Sequence, residues 1–356
     1  MRTNLTSQIT LNRVSTKYYK PENAVERSVL TRFEKVPTDI YESVDEGVAH
    51  IANEIAGRIQ DRQREGKFFV IGAGTGASLR PLYAELVRKH KDEGLSFRNV
   101  VIFNLYEYYP LAPESAGSSF TQLKDLFVDQ IDIDKQNVFT IDGSIPQEAI
   151  LEYCRLYEQR LQTFGGMDIV LMGIGREGNI AMNEPGSNLN SPTRLILMNA
   201  TSKAEAGHNL GIDNLPPCSI TMGVSTIMGA RKIYLLAWGE NKADIIRNAV
   251  EEKVSDTLPA SYLQMHNNVN VCIDLSAAAH LTRIQRPWLV TNCEWNDKLI
   301  RSAIVWLCLR LKKPILKLTN KDYNENGLSE LLALYGSAYN VNIKIFNDLQ
   351  HTITGW

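Results

Sequence analysis

No stretch of this 356-residue sequence approaches the roughly 20 consecutive apolar residues that a membrane-spanning helix requires. The opening residues Met1-Arg2-Thr3-Asn4-Leu5 also lack the apolar core of a signal peptide. The expectation is a cytoplasmic protein with no membrane partner. Charge of one sign is equally scarce. At a formal net charge of −2 the chain advertises no basic stripe for nucleic acid, so any anion it binds must be held by local geometry rather than by a global field. The five cysteines (Cys154, Cys218, Cys272, Cys293 and Cys308) include no pair at CxxC spacing, and Cys272 lies inside the apolar run Val271-Cys272-Ile273. Reduced, buried thiols are expected. None of the six histidines falls in a close ligand pair, so no metal is expected, and the expectation for cofactors is none.

What is present is globular: 44% apolar and 22% charged residues, at a length that suits one large domain plus an appendage. The polar segment 1–40 reads as an N-terminal arm, extended around Lys17-Tyr18-Tyr19-Lys20-Pro21 and suited to packing on a neighbour. From Tyr41 onward Val44, Val48, Ile51, Ile55 and Ile59 recur at helical spacing. Short β-branched runs then alternate with helical periods: 68–71, 100–103, 168–172, 232–237 and 269–273. Non-alternating runs of this kind suit strands buried on both faces of a mostly parallel sheet, which makes the fold class α/β, a doubly wound three-layer sandwich of Rossmann-like type. Ligands of such sheets bind beyond the carboxyl ends of the strands. A boundary is placed near Arg283-Ile284-Gln285-Arg286-Pro287, giving a main domain over 41–285 and a C-terminal α/β extension over 286–356. In the extension a tryptophan-bearing helix (295–310) and a helix around 328–335 precede an expected strand, Val341-Asn342-Ile343-Lys344-Ile345. The chain reaches Trp356 without a tapering polar segment, and is read as a piece of a longer protein.

Four turns after strands carry chemistry. The first, Gly72-Ala73-Gly74-Thr75-Gly76-Ala77-Ser78, leads into a helix, and glycine backbone, helix N–H groups and two hydroxyls suit a phosphate. A plain tight turn and a dinucleotide fingerprint are the rival readings, though the spacing is GxGxG rather than GxGxxG and the Walker lysine is missing. The second, Tyr106-Glu107-Tyr108-Tyr109-Pro110, reads first as aromatic packing. The third, Gly173 to Pro185, is glycine-dense and polar, with carboxylates at Glu177 and Glu184. The fourth, Gly239-Glu240-Asn241-Lys242, offers a lysine to a phosphate held by the first turn; a solvated lysine at a helix start is the alternative.

In this order the turns resemble those of the glucosamine-6-phosphate deaminase/isomerase family, whose fold is shared more distantly by 6-phosphogluconolactonases and ribose-5-phosphate isomerases. The resemblance runs from about residue 41 to 285 and is most specific at Ser96–Leu105, Gly173–Pro185, Thr221–Ser225 and Leu263–His266. It implies a phosphate loop at Gly74, Thr75, Gly76, Ala77 and Ser78, a phosphate lysine at Lys242 and an orienting glutamate at Glu184. In the family an Asp after the second strand removes the C2 proton of the sugar, a loop His opens the ring, and an enol intermediate expels ammonia. Here Tyr106 stands at the Asp, and Glu177-Gly178-Asn179 at the family's Asp-Gly-His. A phenol of pKa about 10 is a poor base near neutrality and an amide shuttles no proton. The family's phosphate-contacting Arg falls at Ala206 or His208, and of a second-site Arg and Lys pair only Arg194 is kept, with Ile196 at the other position.

The resemblance thus implies a hexosamine or hexose phosphate as partner, a homo-oligomer, and a longer architecture joined to a deacetylase-like domain. Conversion of glucosamine 6-phosphate to fructose 6-phosphate and ammonia, or a related isomerisation, with Glu107 or Glu177 as base, is one expected function. Sugar-phosphate binding or sensing without turnover, with Tyr106 stacking on the ligand, is another. An aldose–ketose isomerase or a lactonase-like activity is the third, weakened because lactonases of this fold use a third-turn histidine where Asn179 stands.

Overall fold

The computed structural model describes residues 14–115, 117–210 and 215–354. These fall into two compact units, one over Glu34–Ala279 and one combining Arg13–Phe33 with His280–Trp356. The strands of the first unit are β1 (Thr38–Tyr41), β2 (Phe69–Ala73), β3 (Val100–Asn104), β4 (Tyr106–Tyr109), β5 (Val138–Phe139), β6 (Ile169–Gly173), β7 (Arg194–Leu197), β8 (Cys218–Thr221), β9 (Ile233–Ala237) and β10 (Val269–Asp274). Seven form a sheet in the order β1-β10-β9-β6-β2-β3-β5, every pairing parallel. The five apolar runs form its centre, because only strands covered on both faces bury consecutive side chains: every residue of β2, β3 and β9 is buried.

Helix Val44–Arg64 starts where the Ser43 side chain accepts the Glu46 N–H at 3.1 Å. Its Val48, Ile51, Ile55 and Ile59, with Leu82, Tyr83 and Leu86 of helix Arg80–Glu93, pack on Phe69, Ile71, Val100 and Ile102 in one cluster. Residues of opposite parity cover the other face, where Phe103 meets Tyr157 of helix Ile150–Thr163 edge to face at 5.6 Å. Helices therefore flank the sheet on both sides, as the α/β sandwich requires.

Three features differ from the sequence-based expectation. Residues 106–109 are not a turn but β4, which pairs antiparallel with β8, itself paired antiparallel with β7 in a separate three-stranded sheet. Only Leu105 separates β3 from β4, so the chain changes sheets within one residue. In the second unit the expected strand 341–345 lies within helix Ala338–Thr354. Val341 and Ile345, one helical turn apart, are fully buried, and Asn342 is held by the Tyr323 hydroxyl and the Leu318 carbonyl, while Ile343 is only half-buried. Among the described residues this unit is helical, not α/β, with a core of Trp288, Ile304, Leu307, Tyr323, Leu331, Val341 and Ile345. Nor is the segment around Lys17–Pro21 an extended arm. A 3₁₀ turn (Thr16–Tyr18) and helix Ala24–Leu30, capped by Asn23, bury Tyr18 and Leu30 against Val290 of the same unit.

Candidate functional site

The phosphate-type loop begins where β2 ends. Gly74 N–H donates to the Leu171 carbonyl of β6 at 2.9 Å, and the Tyr83 hydroxyl donates to the Gly74 carbonyl at 2.6 Å. A Cβ on Gly72 would lie 2.5 Å from the Met167 sulfur, so the strand end is glycine because its neighbours come that close. The Trp238 indole, beyond β9, donates to the Ser78 carbonyl at 2.9 Å and ties down the other end of the loop. Gly74, Thr75, Gly76, Ala77 and Ser78 all face a cavity of about 410 Å³ at the carboxyl ends of the parallel strands. The opposite wall includes Lys242 and Asn179, so the first, third and fourth turns converge as expected.

Tyr106 also lines the cavity, with its hydroxyl 2.9 Å from Thr75 Oγ1, which is in turn 2.9 Å from Ser119 Oγ. Burial pushes the Tyr106 phenol above its ordinary value, the Thr75 contact opposing only in part. The ring is thus a neutral hydrogen-bonding brace for the loop.

The three predicted glutamates are not on the cavity wall. Glu107, next to Tyr106 on β4, alternates to the other side of the strand and is fully buried. Its two oxygens accept the N–H groups of Tyr108 (2.8 Å), Ser119 (2.8 Å) and Phe120 (3.0 Å) and the Ser118 hydroxyl (2.7 Å). Those donors include the start of helix Ser119–Leu126, so Glu107 is an anchor for that helix and not a base poised over a ligand. Glu177 and Glu184 share the Asn199 amide, and Glu184 Oε2 accepts from Asn199 Nδ2 at 2.7 Å and Ser202 Oγ at 3.1 Å. Glu184 is buried, and its pKa is raised by that burial and next by the charge of Glu177. Gly178 between Glu177 and Asn179 has φ 78°, and a Cβ there would meet Leu258 at 2.0 Å, so the loop admits only glycine at its centre. Asn179 is buried against Gly175, and its Oδ1 finds no hydrogen-bond partner among the described residues.

Lys242 is buried, with Nζ donating to the Ile174 carbonyl at 2.9 Å and to Glu205 Oε1 at 3.0 Å. Glu205 was not legible as a site residue. It belongs to helix Ala200–Leu210, which also brings Ser202, Ala206 and His208 to the wall. Glu205 and Ala206, three and four residues beyond Ser202 on one helical face, were the available signal. Arg80, Gln122 and Trp238 also line the cavity without having been singled out in the sequence, while Tyr108, Arg176 and Asn241 reach it from the second, third and fourth turns. Three cationic side chains, Arg80, Arg176 and Lys242, line the cavity with one carboxylate, Glu205, so the cavity suits an anionic ligand of polar character. Arg194 lies in the first unit with Nη1 donating to Asn183 Oδ1 (2.8 Å) and Nη2 to Ser187 Oγ (3.0 Å), and does not line this cavity. Among the described residues no cluster of three His, Cys, Asp or Glu is placed to hold a metal ion, and no helix is long and apolar enough to cross a membrane.

Comparison with known proteins gives this geometry its context. The family model for glucosamine-6-phosphate isomerases/6-phosphogluconolactonase matches residues 42–272. A putative glucosamine-6-phosphate deaminase-like protein of Bacteroides thetaiotaomicron is 68% identical across 100% of this chain, which spans 54% of that relative's length. Glucosamine-6-phosphate deaminase of Bacillus velezensis is 37% identical over 67% of this chain and 95% of its own. A solved monomeric glucosamine-6-phosphate deaminase superposes with a TM-score of 0.65 at 32% identity, covering 68% of this chain and 99% of that one. By fold, by the placing of its loops and by these matches, the chain belongs to the glucosamine-6-phosphate isomerase/6-phosphogluconolactonase family.

Proposed function

We propose that the cavity binds a hexosamine or hexose phosphate, with the phosphate against Gly74–Ser78 and Lys242, and that the chain does so without deaminating it by the proton-transfer route of the family. The observation that carries this reading is the Tyr106–Thr75 contact. Where the resemblance places a carboxylate base, a neutral phenol is committed to bracing the phosphate loop, and burial makes its ionisation harder still. The three nearby glutamates are engaged elsewhere, Glu107 at a helix start and Glu177 and Glu184 on Asn199. Removing a general acid or base costs about 10²–10⁴-fold each, so loss of both the base and the ring-opening histidine removes about 10⁴–10⁸-fold. Recognition survives because it depends on the loop backbone, Lys242 and the two arginines, none of which must move a proton.

Thermal melting with and without glucosamine 6-phosphate tests the reading. At a ligand concentration 100 times Kd the stabilisation is about 2.7 kcal/mol. A rise in melting temperature with the sugar phosphate, absent with glucosamine and absent in Lys242→Met, is the expected result; no rise with any sugar phosphate refutes it. The homo-oligomer implied by the resemblance is likewise a proposal, which sedimentation at micromolar concentration decides.

A further inference from the structure

The contact that the phosphate reading leaves unexplained is the carboxylate already sitting at Lys242. Glu205 Oε1 accepts from Lys242 Nζ at 3.0 Å, while Glu205 Oε2 accepts the backbone N–H of Arg176 at 3.0 Å. The Arg176 guanidinium adds Nε at 3.9 Å from Oε1. An ammonium, a backbone N–H and a guanidinium around two oxygens form the kind of donor set that a phosphate group recruits. All three residues line the cavity together with the loop. Lys242 has a second anchor in the Ile174 carbonyl at 2.9 Å, so its position does not depend on Glu205. Glu205 is the more exposed partner, with 18% of its side chain exposed against 11% for Lys242, so it is the side that can turn outward.

We propose that Glu205 is an internal anion that occupies the phosphate corner in the ligand-free protein, so that a ligand phosphate binds only by displacing it from Lys242 and Arg176. This rests on the sugar-phosphate reading and adds its regulation. Glu205 then sets an affinity threshold: a phosphate dianion must outcompete a tethered carboxylate and, once bound, tolerate its charge nearby unless the side chain rotates away. Glutamine at this position keeps the length and an oxygen for the Arg176 N–H but removes the charge. The variant Glu205→Gln should therefore bind phosphate more tightly, which is the reverse of what removing an ordinary binding residue does.

The test is isothermal titration of the full chain at fixed ionic strength with inorganic phosphate, glucosamine 6-phosphate and glucosamine, using the native protein, Glu205→Gln, Glu205→Ala and Lys242→Met. Both Glu205 variants are expected to bind phosphate and the sugar phosphate about tenfold more tightly, the order that removing a like charge from a partly screened site allows. Glucosamine should show no gain, and Lys242→Met should lose phosphate binding. Binding by the Glu205 variants with none by the native protein supports the proposal in its strongest form. Phosphate binding by the native protein that is unchanged or weakened in both variants overturns it while leaving the sugar-phosphate reading intact. Absence of phosphate binding in every protein overturns both.

Discussion

Replacing Glu107 by glutamine separates an anchoring role from a catalytic one. The carboxylate accepts three backbone N–H groups and one hydroxyl, and glutamine offers only one oxygen. With the amide oxygen placed on the Tyr108 and Ser119 N–H groups, the amide nitrogen faces Ser118 and Phe120. The serine hydroxyl can turn to accept, but the Phe120 N–H cannot, so one partly buried donor loses its acceptor. That costs about 1–3 kcal/mol, added to the loss of charge assistance on the remaining bonds. Burial, which pushes the Glu107 carboxyl above its ordinary value, works the other way, because a neutral side chain escapes that desolvation. The net expectation is a loss of about 2 kcal/mol, a fall of about 4–8 °C in melting temperature for a unit of this size. Differential scanning calorimetry measures the fall, and titration with glucosamine 6-phosphate should show unchanged affinity in the folded variant. A variant as stable as the native protein but altered in binding or turnover would refute the anchoring role and return Glu107 to the site.

Two further predictions rest on other parts of the first unit. Glu184 has a pKa raised by burial and then by the Glu177 charge, so the folded state holds its proton more tightly than the unfolded chain. Its contribution to stability is therefore greatest at low pH and falls as pH rises from the ordinary carboxylate value through the raised one; melting of Glu184→Gln minus that of the native protein should grow more favourable from pH 4 to pH 7, and a flat difference contradicts it. At Gly223 a Cβ would lie 1.9 Å from the Ser191 carbonyl oxygen and 2.2 Å from that of Pro192, both backbone. Gly223→Ala should cost about 3 kcal/mol or more by urea unfolding, and native-like stability would show that this close approach is not required.

The parallel sheet was legible because strands covered on both faces leave continuous apolar runs, and Phe69–Ala73, Val100–Asn104 and Ile233–Ala237 are wholly buried. The small antiparallel sheet was not. Tyr106–Tyr109 follows β3 after a single residue and ends before Pro110, so nothing in the local pattern separates it from a turn. The segment 341–345 fits both periods, since residues four apart share a face in a helix and in a strand. Burial of Asn342 beside Val341, which strict alternation forbids, is the tertiary fact that decides for helix. In the site, Gly74–Ser78, Asn179 and Lys242 were legible because each follows a strand of the parallel sheet. Glu205 was not, because its meaning lies in meeting Lys242 across 37 positions of sequence, and Glu107 misled because adjacency to Tyr106 in a strand sends it to the opposite face.

The function proposed for the cavity is recognition of a sugar phosphate without the proton-transfer groups for deamination. Ammonia release from glucosamine 6-phosphate at neutral pH, measured on a sample whose binding of that ligand is saturable by titration and beside an active deaminase of the family, tests it most directly. Saturation with no ammonia above the uncatalysed background is the expected result. Ammonia released at a rate comparable to the control would contradict it, and would show that another group does the work expected of the carboxylate replaced by Tyr106.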